Sequence, residues 1–375
     1  MKKDFFKRGT ALALSAAMAI SLLPVISPLS KVDAATTETG KTILGIGVSG
    51  IGNPYGSHNG DKLSTTASWK GSYVYYGKYD GEPIKYRVLD TESRYSFSTG
   101  ASSMLLQTDK VVGPQVYSYT FAGKTTSTEQ YSYADSSLVK WMNETGYKKM
   151  TCSITNKEMP YFLNEFSSVE LNGILASTKA SKNSSDGGLN FAAGGSEYIY
   201  TPLNKDKVFA LDASEYRNTH YGYPDTANKA KQREQNVNKT LYGYFIRSTA
   251  KNSGRSGAMG VQVKDGVELC FQGPLASTPA FNLNKNNVLF TSLVSGTAGQ
   301  YGAAYKFTIL DPSMELSVGG SVDRTGNVVT VPYSVAGEAG NQISYLVTDK
   351  AYNASGVKVL AYGKAATASM AGDVR

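Results

Sequence analysis

The side chains able to do chemistry are few in this sequence and stand far apart. It has two histidines, His58 and His220, and two cysteines, Cys152 and Cys270. A serine or cysteine nucleophile needs a base held beside it. His58 falls in a Gly-rich stretch and His220 in a polar, basic one, so neither is expected to be held rigidly. With no CxxC and two isolated histidines, a zinc site is not expected, nor is any cofactor. The cysteines could pair in an oxidising compartment or remain as two buried thiols. Sequence leaves both open, since a bridge needs Cα atoms within about 7 Å. Glycoside hydrolysis needs two carboxylates roughly 5–10 Å apart, and Asp90, Glu92, Asp212 and Glu215 are the candidates. The last two stand three residues apart, however, the spacing of a helix capping box, which accounts for them without chemistry. Gly45, Gly47, Gly50 and Gly52 mimic a phosphate loop without its strand-to-helix setting.

The N-terminus says where such chemistry would operate. Lys2, Lys3, Lys7 and Arg8 precede an apolar run from Thr10 to Leu23, and small residues flank a cleavage point between Ala34 and Ala35. This is the pattern of a secretory signal peptide, and the run is shorter than the about 20 residues of a membrane span. No membrane span is expected after its removal, and no sorting motif for wall anchoring is read at the other end. A secreted or loosely wall-associated protein is expected. Residues 1–34 hold five Lys or Arg and two Asp or Glu, so the formal charge of +8 falls to +5 in the mature chain. That modest, dispersed basicity, outside the cell, argues against nucleic acid as a partner.

The elements that must position these groups read as mostly β. With 26 Tyr, 38 Gly and 18% charged residues, the mature chain suits short strands joined by many turns. Residues 35–68 read as a flexible leading segment. Two β-type runs, Tyr73 to Tyr79 and Ile84 to Leu89, flank Asp80-Gly81, a dipeptide that suits positive φ in a tight hairpin. A third run, Ser103 to Gln107, follows. Asp135 is placed to cap a helix whose Leu138, Trp141 and Met142 share one face. Thr155 with Glu158 suggests a short helical turn ended by Pro160. Val208 to Leu211 reads as a strand leading into a helix capped by Asp212 and Glu215. Asn218 to Lys239 is too polar to form core and reads as a long surface loop. Leu241 to Arg247 is strand-like, and a hairpin follows around Asp265-Gly266. Residues 69–290 thus form one α+β domain and 291–306 a linker. Residues 307–375 carry five β-type runs, the pattern of an immunoglobulin-like sandwich that is small or incomplete.

In order along the chain these motifs resemble a bacterial domain family of unknown function, DUF6273. The resemblance rests on Tyr86-Arg87-Val88-Leu89-Asp90, Met104 to Gln107, Trp141-Met142-Asn143, Val208-Phe209 through Glu215, Tyr244-Phe245-Ile246-Arg247-Ser248, and Thr278-Pro279-Ala280-Phe281. Two departures mark a divergent member: Tyr244-Phe245 stands where the family has two tryptophans, and Thr278 where it has an arginine. The resemblance implies surface or secreted proteins of Gram-positive bacteria and a fold similar to the C-type lectin and formylglycine-generating-enzyme group. Leu89, Trp141, Asn143, Phe209, Glu215, Phe245, Arg247 and Pro279 would then be structural, with Arg247 a buried guanidinium bonded to carbonyls. The thiol chemistry of that enzyme group would require Cys152 and Cys270 to cooperate. Calcium-dependent sugar binding is not supported, because Glu82-Pro83 is followed by Ile84 rather than by the amide of a lectin loop.

The resulting expectation is a secreted recognition or adhesion protein that binds an extracellular glycan or protein without catalysis. An enzyme acting on envelope glycans through Asp or Glu, and a structural surface-layer component, are the alternatives.

Overall fold

The computed structural model describes residues 42–374 except 49, 55–69, 94, 98–101, 111, 117–132, 135, 146–148, 152–157, 182–196, 217, 223–234, 238–239, 243, 253–254, 263–265, 270–274, 312–314, 319–322, 326–327, 337–341, 352–357 and 368–370. The chain is mixed α+β, rich in strands with a few short helices. It forms two compact units. One comprises Ile51–Asn286 with Ser295–Tyr305; the other comprises Asn287–Val294, Lys306–Arg375 and the described part of Met1–Gly50.

The larger unit is built on an antiparallel sheet. Strands β1 (Tyr73–Tyr79), β2 (Glu82–Asp90) and β3 (Ser103–Thr108) run in sequence. The helices α1 (Ser137–Asn143) and α2 (Ser168–Gly173) follow, then the short strands β4 (Ile174–Leu175), β5 (Ser177–Lys179), β6 (Leu203–Asp206) and β7 (Val208–Phe209). Helix α3 (Ala213–Tyr216) leads to β8 (Tyr244–Asn252), β9 (Arg255–Gln262), β10 (Gly266–Leu269) and β11 (Ala280–Asn284). The main sheet has the order β1-β2-β3-β11-β7, with β4 also on β11. Every residue of β3 is buried, as suits a central strand with apolar residues facing both ways.

The β1–β2 turn takes the expected form, with Asp80 at φ 54° and Gly81 at φ 79°, the double left-handed geometry of a type I′ hairpin. Gly77 is required for a second reason. Its φ is 63°, and a Cβ there would stand 2.5 Å from the Phe166 ring, where the β1–β2 register breaks between Tyr75 and Lys78. The aromatic core continues from Trp141 to Phe162 (5.6 Å between centroids), Phe162 to Phe166 (5.4 Å) and Tyr76 to Phe281 (5.5 Å).

Helix α1 buries Leu138, Trp141 and Met142 as its spacing predicts. Its cap is Ser136, one residue beyond the expected Asp135; the Ser136 hydroxyl accepts from Val139 N at 3.3 Å and donates to the Tyr133 carbonyl at 2.6 Å. Residues 152–157 of the helical turn expected from Thr155 lie outside the described residues, and Glu158 itself is in a strand. Glu158–Pro160 is a strand, antiparallel to Lys149–Thr151, because pairing satisfies backbone groups that a Pro-ended turn would leave open.

A second sheet in this unit centres on β8, which pairs with β9 and with Glu197–Ile199 in antiparallel fashion, while β9 pairs with β10. Gln262 faces Gly266, and residues 263–265 of the expected Asp265-Gly266 turn lie outside the described residues. The expected polar loop from Asn218 is partly core. Thr219–Tyr221 forms a 3₁₀ turn with Asn218 and Tyr221 fully buried, and Gln235–Val237 pairs with Thr240–Tyr242.

In the smaller unit, Thr42–Ile46 pairs antiparallel with Val288–Ser295, so strands occur in segments expected as a flexible lead and a linker. The five β-type runs toward the C-terminus are strands: Ala304–Ile309, Glu315–Val318, Val328–Ala336, Gln342–Thr348 and Val359–Thr367. Val328–Ala336 pairs with Glu315–Val318, Asp323–Thr325 and Ala371–Val374, and Gln342–Thr348 pairs with Val359–Thr367. Among the described residues no helix is long and apolar enough to cross a membrane.

Candidate functional site

Three charged side chains meet in the interior of the larger unit, each brought by a different element. Lys179 ends β5, Glu215 lies in α3, and Arg247 sits in β8 where the register with β9 breaks between Phe245 and Thr249. The break turns the Arg247 N–H toward the Leu211 carbonyl (3.1 Å) and leaves its side chain fully buried. Glu215 is there because α3 is capped as its sequence predicts: the Asp212 N–H donates to Glu215 Oε2 (2.8 Å), while Asp212 Oδ1 accepts from Ser214 N (2.9 Å).

Glu215 accepts on both oxygens twice. Oε2 takes Arg247 Nη1 at 2.6 Å beside the Asp212 N–H, and Oε1 takes Lys179 Nζ and the Tyr95 hydroxyl, each at 2.7 Å. A carboxylate has about four lone-pair sites, so this one is saturated. Burial alone would raise its pKa, but the Arg247 and Lys179 charges more than reverse that and hold it well below the usual carboxylate range. Tyr95 is pushed far up, by burial first and then by the Glu215 charge. Arg247 also donates through Nε to the Thr201 carbonyl (2.8 Å) and through Nη1 to the Ala210 carbonyl (3.0 Å). Asp212 Oδ2 accepts from Ser248 Oγ at 2.7 Å, and both cations pair with Glu215. With every lone pair of Glu215 used internally, it has no position from which to take a proton from a substrate.

The other motif residues are equally internal. Asn143 reads the backbone of β7 like a neighbouring strand, donating to the Val208 carbonyl (2.8 Å) and accepting from Val208 N (2.9 Å). Trp141 Nε1 donates to the Pro160 carbonyl at 3.0 Å. Phe209 stacks on Tyr95 (5.2 Å), and Leu89 and Phe245 are core. The Pro279 carbonyl accepts from Thr108 N (3.0 Å). Thr278, where an arginine was expected, accepts from Gln107 Nε2 through its hydroxyl (2.9 Å) and its carbonyl (3.2 Å). Cys152, Cys270, His58, Ala34 and Ala35 lie outside the described residues.

A second pairing involves a residue that the sequence reading left unheld. His220 Nε2 lies 3.2 Å from Asp90 Oδ2, and Asp90 Oδ1 accepts from Glu92 N (3.0 Å). The Glu92 side chain pairs instead with Lys285. Each of the four carboxylates considered for glycoside chemistry therefore has its own partner. Lys179 and Tyr95 carry no local signal that could have found them, since they stand 36 and 120 residues from Glu215. Among the described residues no group of three or more His, Cys, Asp or Glu could hold a metal ion.

Residues 101–285 match DUF6273, a domain of unknown function. The match supports the family read from the motifs. It spans α1, α3, β8 and β11, hence Trp141, Asn143, Lys179, Glu215 and Arg247 of the charged cluster and its supports. No curated protein and no solved structure matches the chain.

Proposed function

We propose that this is a secreted or cell-surface recognition and adhesion protein: a lectin-like α+β domain that binds an extracellular glycan or protein without catalysis, displayed by an immunoglobulin-like β domain and exported by the signal peptide at residues 1–34. The observation that carries this reading is the saturated Glu215. Glu215, Asn143 and Trp141 spend their hydrogen bonds on neighbouring side chains and on the backbone, which supports a rigid frame for surface loops rather than a reaction centre. Binding proteins place recognition on loops held by such a frame. The test is a glycan array together with a pull-down from cell-wall and host material, using the chain without its signal peptide. Saturable binding in either is expected, and none in both would contradict the proposal.

A further inference from the structure

Strands β1 and β2 carry a second face, opposite the aromatic core. Val74, Tyr76, Ile84 and Tyr86 are buried on the core side, and strand alternation sends Tyr73, Tyr75, Lys85 and Arg87 to the other. On that face Tyr73 stands opposite Arg87 and Tyr75 opposite Lys85. The register break between Tyr75 and Lys78 sets Lys78 opposite Pro83, so Lys78 shares the face of Lys85. Glu82 pairs in register with the buried Tyr79 and belongs to the core side. Of the three cations, Arg87 is committed, its Nε donating to Asp109 Oδ1 at 2.8 Å. Lys85 Nζ lies over the Tyr73 ring, 3.7 Å from its centroid, a cation–π contact that leaves its charge without an anion. Among the described residues no carboxylate pairs with Lys78 or Lys85. Lys78 is exposed, and Tyr73, Tyr75 and Lys85 are half-buried.

Tyr75 thus shares its face with two ammonium groups that have no anion of their own. Such a strip repels cations and attracts a ligand of opposite charge. The strength of binding to a nucleic-acid backbone is set by the number of phosphates neutralised, and two uncommitted ammonium groups are few for it. A half-buried tyrosine ring offers an apolar face with a polar tip, which suits the ring of a sugar, and a carboxylate on that sugar makes charge-assisted hydrogen bonds with ammonium groups. We infer that this face of β1 and β2 binds an acidic carbohydrate, with a sugar ring on Tyr75 and its carboxylate on Lys78 and Lys85. This rests on the reading of the chain as a recognition protein and gives that reading a site and a ligand class.

The test uses the chain without its signal peptide on an array of glycans bearing uronic or sialic acids, beside their carboxyl-reduced neutral counterparts and a single-stranded oligonucleotide. The expected result is saturable binding to an acidic glycan that weakens with added salt and is about tenfold weaker for the reduced counterpart. The double variant Lys78→Gln, Lys85→Gln should lose about tenfold in affinity and flatten the salt dependence, with thermal unfolding showing that the fold is kept. Tyr75→Phe, which retains the ring, should bind within about twofold of the wild type, and Tyr75→Ser about tenfold more weakly. An acidic glycan bound equally by the wild type and the double lysine variant overturns the inference. So does tighter binding of the oligonucleotide, or binding of neutral glycans or proteins alone. Binding to no glycan on the array and to no protein in the pull-down overturns the recognition reading itself.

Discussion

Glu215 and Asp90 are both buried carboxylates facing a nitrogen base, and they differ in where the bonding ends. Glu215 closes on itself: Arg247, Lys179, Tyr95 and the Asp212 N–H fill its lone pairs, and none of these side chains reaches solvent. Asp90 Oδ2 instead lies 3.2 Å from a histidine whose side chain is 32% exposed. A closed network fixes structure, and an open one presents a group. The family motifs map onto the closed network, while His220 lies in a segment whose composition reads as a long surface loop.

The closed network can be broken in order of expected cost. Glu215→Ala would leave Lys179 and Arg247 as uncompensated buried charges, and removing one partner of a buried pair costs about 3–5 kcal/mol. Thermal unfolding should then shift down by about 10 °C, read from tryptophan fluorescence, since Trp141 lies in the same core. Arg247→Lys keeps the charge but loses the fork that joins Glu215 to the Thr201 and Ala210 carbonyls, and should cost about 2 kcal/mol in urea unfolding. Gly77→Ala tests the neighbouring hairpin. Its φ of 63° and the Phe166 ring 2.5 Å from the new Cβ predict a loss of about 1–2 kcal/mol.

Acid separates the two sites further. The folded Glu215 pKa is depressed, so its stabilisation is fully present above the unfolded value of about 4.3 and is lost as pH falls from there toward the folded value. Stability measured between about pH 5 and pH 2 should fall more steeply in the wild type than in Glu215→Gln. At the small end, His220→Gln, at a side chain that is 32% exposed, should change stability by less than about 0.5 kcal/mol. A larger loss would place His220 with the closed network.

Local features were legible in the sequence because local rules produce them. The Asp80-Gly81 turn, the Leu138/Trp141/Met142 face, the Asp212–Glu215 cap and the C-terminal strands follow from turn chemistry, period and capping. The Ser167–Glu170 capping box of α2 has the same signature, with both reciprocal bonds formed. What was not legible is long-range. Nothing near Lys179 announces that it will be buried. His220 reads as loop, and the carboxylate 3.2 Å from it, Asp90, lies on the distant β2. Glu158 reads as the third position of a turn begun at Thr155, yet it lies in a strand paired with Lys149–Thr151.

The central claim is that Lys179, Glu215 and Arg247 act as one structural unit. A double-mutant cycle of Lys179→Met and Glu215→Gln, with unfolding free energies measured in urea, tests it most directly. The expected coupling is about 1–3 kcal/mol, the double variant being more stable than the sum of the single losses implies. Simple additivity, with either single variant near wild-type stability, would contradict it.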